Sequence, residues 1–377
     1  MSTLAMLFAG GTDSAVPELT DARSMASVPF GCRYRLIDFT LSNLVNAGIS
    51  HVAILTQHNY QSLMDHLGSG KEWDLARRNG GLDILPPFFT VMGPQASQAN
   101  LFSSSLEGLL SARYYLEGCP EDTVILSDCE SVNNLDVGRL LKQHEETGAD
   151  LTIAVCRSVV QPGSENVEIV RSDRDGRVKE VFSGNDSSPG KKDVSMRLFA
   201  VNKRVLLNIM TDMSVRRYTD LARDFLARNA GRYHFRIYRH EGYHRTIGSL
   251  AEYFARNMEL LDENVREQLF RVPDRPVLTK VHNSVPAVYK DGSLVRNSMI
   301  ADGCVIEGIV ENCILFRGVR VGKNTSVENC ILMQDTTVED GVYMNCVITD
   351  KNVRVREGRV LSGHQTKPFY IGKNGDV

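Results

Sequence analysis

The chain has 377 residues, of which 42% are hydrophobic and 24% charged, with a formal net charge of -3. That length points to two domains with a sizeable core, the composition gives no hint of extended disorder, and the charge does not imply general affinity for nucleic acid. The eight cysteines form no C-x-x-C pair and have no histidine-rich company, which argues against zinc and against a disulfide scaffold and reads as reduced cytoplasmic thiols.

The opening MSTLAMLFAGG lacks a basic leader and runs straight into an apolar strand, so no cleaved signal is expected. No apolar run approaches the length of a membrane span. The strand ends at Gly10-Gly11, as a phosphate-cradling turn should, yet Asp13 and Glu18 follow and no basic residue appears before Arg23. Taken alone the two glycines say little, because any tight strand-to-helix turn favours glycine.

From residue 4 to about 260, nearly continuous apolar strands at 4–10, 51–57, 123–127 and 151–157 alternate with helical spacing at 38–48 and 136–149. This is βαβ grammar and predicts an α/β sheet buried on both faces. A hairpin at 167–182, turning at Asp175-Gly176, interrupts the alternation, so the sheet is expected to be mixed. After a stretch carrying Pro273, Pro276 and Pro286 the grammar changes to short repeats, RNSMIA, ENCILF, ENCILM and MNCVIT. Their asparagines, Asn297, Asn312, Asn329 and Asn345, are spaced 15, 17 and 16 apart. A fixed period signifies a repeat architecture, and each unit reads as one coil of a β-helix with an asparagine at the corner. Val321, Val327 and Met333, six apart, fit a hexapeptide step. A sandwich of short strands is the alternative. Cys313, Cys330 and Cys346 fall at one position of the repeat and are expected to stack as small apolar side chains. The expected domains are 1–270, a linker at 271–284, and 285–377, with four to five coils in the last.

The segment VPFGCRYRLIDFTLSNLVNAGI (28–49), backed by GYHRTIGSLAEYF (242–254), carries a resemblance over nearly the whole chain to the glucose-1-phosphate adenylyltransferase (ADP-glucose pyrophosphorylase) family. The resemblance implies a Rossmann-like nucleotidyltransferase domain with a mixed sheet, followed by a left-handed parallel β-helix. The family transfers AMP from ATP to glucose 1-phosphate and releases pyrophosphate, chemistry that depends on positioning and on cations that neutralise developing charge.

Against the family motifs the active site is degraded. The loop's third glycine falls at Asp13, its phosphate-gripping arginine at Ala15, and the lysine and proline of a following motif at Met25-Ala26. Leu85-Pro86-Pro87-Phe88-Phe89 stands where the family reads adenine with amides, and the segment that follows has no counterpart in 97–108. Asp128 is one place early for the first metal-binding aspartate, with Cys129 in register, and the second metal-binding aspartate has become Thr246. The sugar-phosphate triplet falls at Ser183-Gly184-Asn185, and a pocket glycine at Arg197. Losing one preorganised charge contact costs on the order of a hundredfold to a thousandfold in rate. No cofactor is therefore expected, with Mg²⁺ needed only if residual activity survives, and Asp128 is the remaining candidate metal ligand. Asp38 reads as a buried helix-cap carboxylate, and His244 as a filler where the family has tryptophan.

One subgroup of the family, the GlgD-type chains, has this architecture with a broken active site, and the resemblance implies a regulatory role. The expected partner is a catalytic glucose-1-phosphate adenylyltransferase paralogue in a tetramer supplying ADP-glucose for glycogen, with no nucleic acid or membrane involved. Arg23, Arg33 and Arg35, with Lys367 and Lys373 from the β-helix, are the candidate regulatory anion site for a sugar-phosphate or phosphate effector; a solvated basic face is the bland alternative. Two other readings stay open: an active or weakly active sugar-phosphate nucleotidyltransferase, and a β-helix scaffold without a nucleotide.

Overall fold

The structure, a computed structural model, describes residues 2–10, 15–56, 59–86, 105–160, 167–184, 190–216 and 221–377, without the side chains of 105–107 and 214–223. Gly11, Asp13, Pro87, Phe88, Phe89 and Asn185 lie outside the described residues.

The described residues build a mixed nine-stranded sheet. Its strands are β1 (Thr3–Ala9), β2 (His51–Thr56), β3 (Gly81–Leu85), β4 (Thr123–Asp128), β5 (Leu151–Ser158), β6 (Glu168–Ser172), β7 (Val178–Ser183), β8 (Lys192–Asn202) and β9 (Phe235–His240). The order is β7-β6-β8-β4-β1-β2-β3, with β5 pairing both β8 and β9. β1 runs parallel to β2 and β4, while β8 runs antiparallel to β4 and β5. The hairpin that interrupts the alternation is β6–β7, with Gly176 at φ +81° in its turn. Leu4, Ala5, Met6 and Leu7 of β1 are fully buried, alternately into the two apolar layers on either side of the sheet. Each large side chain so buried contributes about 1.5–3 kcal/mol.

The helix Leu36–Asn46 explains why the long 28–49 segment reads as it does. Asp38 accepts the backbone N–H of Arg35 at 2.9 Å and so caps the helix start. Ile37, Leu41 and Leu44 pack toward the sheet, whereas Leu36 and Phe39 enter a second core that also holds Ala301, Ile314, Phe316, Ile331, Met333 and Ile348 of the C-terminal half. The helix is thus a wedge buried on both flanks. Its polar residues are tied down as well: Asn43 donates to Asn133 at 2.9 Å, and Asn46 donates to the Pro276 carbonyl at 3.0 Å. Ser42 Oγ accepts the Leu278 N–H at 2.8 Å. The proline-marked stretch therefore lies along this helix as an extended strap.

From Val288 onward, three five-stranded parallel sheets form the faces of a left-handed β-helix of five coils. Val321, Val327 and Met333 are buried, as the hexapeptide step requires. Asn297, Asn312 and Asn329 turn corners with φ of +39°, +51° and +50°, a conformation asparagine tolerates better than branched residues.

The fourth corner corrects the sequence spacing. Asn345 pairs in register with Glu328, so the corner residue of that coil is Cys346, at φ +52°. Val347, not Cys346, then continues the column of Cys313 and Cys330, because Ile331 pairs with Ile348. The coil is 17 residues long, and the asparagine sits one place before the turn. Asn329 nevertheless donates to Asn345 at 3.0 Å, which keeps the side-chain ladder despite the offset.

Candidate functional site

β1 and β4 lie side by side with Phe8 opposite Asp128, so Gly10 and Asp128 project from the same carboxyl edge of the sheet. This is where an open α/β sheet binds its ligand. Gly10 leaves β1 at φ +132°, a backbone state that suits glycine.

Arg197 dominates this edge. It sits where the register of β8 against β5 jumps between Ser195 and Phe199, and its own φ is +53°. The family glycine at this place would adopt that conformation without strain; arginine adopts it at a cost of roughly 1–2 kcal/mol. Its guanidinium reaches Asp128 Oδ2 at 3.2 Å and Glu168 Oε1 at 2.9 Å. Both carboxylates are largely withdrawn from water, 19% and 6% exposed, and the guanidinium supplies the charge compensation that such burial demands.

The Mg²⁺ that the family chemistry implies does not fit these residues. Asp128 is engaged by Arg197, and Thr246, exposed at the end of the strand His244–Thr246 opposite Ser131, offers a hydroxyl where a second carboxylate is needed. Ala15 is exposed and presents only a methyl group. Met25 is fully buried in the core between the two halves, so that position presents no charge to a phosphate. Ser183 ends β7, and Gly184, at φ +112°, donates its N–H to the Val167 carbonyl at 3.3 Å. His244 stands 3.3 Å from Cys156 Sγ, and burial pulls its pKa down to about 3, so it is a neutral packing group.

The candidate anion residues are only partly brought together. Arg23 is 2% exposed, and its Nη2 meets both oxygens of Asp350 at 2.8 and 2.9 Å. The Tyr370 hydroxyl lies 3.0 Å from Asp350 and 2.6 Å from the Glu18 carbonyl, which closes the contact between the halves. Arg23 Nη1 is buried without a hydrogen-bond partner among the described residues. Arg35 contacts Ser62 Oγ at 3.0 Å, and burial pulls its pKa down to about 10. Lys351, which carries no sequence signal of its own, feels the charge of both. Burial, then the charges of Arg35 and Arg23 and in smaller part Lys373, bring its pKa down to about 7. Arg33 lies apart, exposed, 5.9 Å over the Tyr34 ring. Lys367 is exposed in a turn with His364.

Glu168 and Asp350 are the other residues the sequence hides. Glu168 opens a hairpin strand, and Asp350 ends one coil among many similar turns; only the fold makes either a partner of an arginine. Among the described residues no helix is long and apolar enough to cross a membrane.

A Rossmann-like sheet with a glycine turn at its carboxyl edge, followed by a β-helix, is the architecture of the nucleotidyl transferase class with an appended hexapeptide-repeat domain. The nucleotidyl transferase family model matches residues 4–263, and the GlmU-like C-terminal hexapeptide model matches residues 284–368. The chain belongs to the glucose-1-phosphate adenylyltransferase family of nucleotidyl transferases. It is 33% identical to the glycogen biosynthesis protein GlgD of Bacillus subtilis, over 95% of this chain and 92% of that protein. It is 30% identical to the glucose-1-phosphate adenylyltransferase of Halalkalibacterium halodurans, over 85% and 83% respectively. For the Thermotoga maritima glucose-1-phosphate adenylyltransferase the figures are 31%, 87% and 76%.

Proposed function

We propose that this chain is a non-catalytic regulatory subunit of a glucose-1-phosphate adenylyltransferase, which binds a catalytic paralogue and modulates ADP-glucose synthesis for glycogen. The observation that carries the reading is the Arg197 guanidinium set between Asp128 and Glu168. A guanidinium held by both carboxylates supports the reading, because the family reaction needs an exchangeable metal ion beside Asp128. Ala15, Met25, Gly184 and Thr246 add no charge that would compensate. The subunit uses no catalytic cofactor of its own and works in the cytoplasm in a mixed tetramer, without nucleic acid or membrane.

Phosphate or a sugar phosphate is its effector, held where Arg23, Arg35, Lys351 and Lys373 converge, with Arg33 and Lys367 at the periphery. Heteromers of related chains can reuse homomeric surfaces. A coupling of about 1–3 kcal/mol between effector and substrate sites changes apparent affinity several-fold to a hundredfold.

The test is to titrate the chain into its genomic catalytic paralogue and measure rate against substrate and effector. A mixed complex with shifted effector response is expected. Absence of a complex, with unchanged kinetics at saturating ratios, would overturn the regulatory reading. Magnesium-dependent ADP-glucose formation by the isolated chain would put a weakly active enzyme in its place.

A further inference from the structure

We propose that His51, Cys119 and Glu121 form a binding site for one divalent transition-metal ion of the zinc class, at the amino edge of the sheet. His51 opens β2, while Cys119 and Glu121 lie in the turn between the helix Arg113–Gly118 and β4. β1, β2 and β4 are parallel, so this edge is the end opposite Gly10 and Asp128, and the site is separate from the family's catalytic edge.

One ligand atom from each residue lies within 4.8 Å of the others. Zinc bonds of about 2.0–2.3 Å in a tetrahedron place ligand atoms roughly 3.3–3.8 Å apart, so closure needs a movement of about 1 Å at side-chain ends. An imidazole, a thiolate and a carboxylate make a donor set for zinc or cobalt, not for magnesium, which prefers oxygen alone.

The imidazole is already oriented for ligation. Its Nδ1 faces Glu121 Oε1 at 2.8 Å. Its Nε2 faces the Tyr115 hydroxyl at 2.9 Å and Asp83 Oδ2 at 3.3 Å. Tyr115 in turn donates to Asp83 at 2.6 Å. A metal-bound histidine characteristically gives its second ring N–H to a carboxylate, and Asp83 is placed to receive it.

A second, independent observation points into the same space. Glu121 is 8% exposed, and its Oε2 is buried with no hydrogen-bond partner among the described residues. A buried carboxylate oxygen without a partner is costly, and a metal ion at the ligand cluster would satisfy it. The charge count agrees. Glu121, Asp83 and a Cys119 thiolate bring three negative charges against Lys203, whose ammonium is held on the Cys119 carbonyl. On binding, the Cys119 S–H bond breaks, its proton passes to solvent, and a sulfur–metal bond forms as the ion loses water. Asp83 is 46% exposed, so the carboxylate behind the imidazole meets solvent.

The experiment titrates the chelator-stripped full chain with Co²⁺. One equivalent is expected to give a thiolate-to-cobalt charge-transfer band in the near ultraviolet, abolished by zinc and unaffected by excess Mg²⁺. C119S should lose the band, and H51Q and E121Q should weaken binding by at least tenfold. D83N, at a positioning residue, should keep the band and weaken binding by about 10–100-fold. Because variants at buried sites can misfold, the unaltered chain is also alkylated with and without zinc and its modified cysteines are mapped by mass spectrometry. Zinc should protect Cys119. No band in the unaltered chain, a band that survives in C119S, or no protection of Cys119 would overturn the site, and none of these outcomes bears on the regulatory reading.

Discussion

Arg23 and Asp350, 327 residues apart in sequence, face each other as a buried ion pair in which one guanidinium nitrogen meets both carboxylate oxygens, with side chains 2% and 4% exposed. The pair ties the entry of the first domain to a coil of the β-helix. Removing either partner strands the other charge in a buried position, at a cost of about 3–5 kcal/mol. R23A and D350A should each lower the denaturation midpoint strongly. The double variant should cost less than the sum of the two, because partners in direct contact are not additive. Equal additivity in a double-mutant cycle would show that the contact contributes no coupling.

Arg197 gives the second prediction. R197G restores a residue suited to φ +53° and withdraws the guanidinium from Asp128 and Glu168. It should still yield no ADP-glucose, since a single missing charge contact costs on the order of a hundredfold to a thousandfold and Ala15, Gly184 and Thr246 remain. Activity should require at least R197G, A15R, G184K and T246D together. Pyrophosphate exchange measured on the single and the quadruple variant decides this, and turnover by R197G alone would refute it.

How much of this was legible in the sequence depends on how local the cause is. The strands around Leu4–Leu7 and Ile125–Leu126 announce themselves as apolar runs, and the β-helix by its period, because neighbour-to-neighbour burial imposes both. Cys346 was misplaced because Asn345 mimics a corner residue, and a one-residue offset is decided by pairing with Glu328, not by the asparagine itself. That Ala15 and Thr246 stand where charged groups are expected is an expectation from the motif. The Arg197 bridge is not, since that contact needs a bulge in β8 beside the start of a hairpin. Lys351 and the His51, Cys119 and Glu121 cluster were hidden for the same reason: their partners are remote in sequence.

The corrected register makes a third prediction. Cys330 lies in an extended column continued by fully buried Val347, so C330V exchanges similar volumes and should cost under about 1.5 kcal/mol. Cys346 sits at φ +52°, where a β-branched side chain is a genuine outlier. C346V should therefore lower the melting temperature more than C330V. The reverse order would restore the three cysteines to one column.

Lys351 supplies the last prediction, and its sign follows from proton counting. Its pKa in the folded chain is pulled down to about 7 from an ordinary value of 10.5, first by burial and then by Arg35 and Arg23. Between those two values the unfolded chain holds a proton that the folded chain lacks, so this group makes stability rise with pH across that window. Below about pH 7 both states are protonated, and the cost of the buried charge is borne in full. K351M removes the titration, so the difference between the unaltered chain and K351M should flatten below pH 7 and change sharply above it. An anion bound among Arg23, Arg35 and Lys351 favours the charged ammonium, so binding should take up a proton. Sulfate, a dianion at both pH values, should then raise the melting temperature more at pH 6 than at pH 8.5, and K351M should abolish that difference. Thermal melts of both proteins with and without sulfate at the two pH values test it, and an equal sulfate effect at both would remove Lys351 from the anion site.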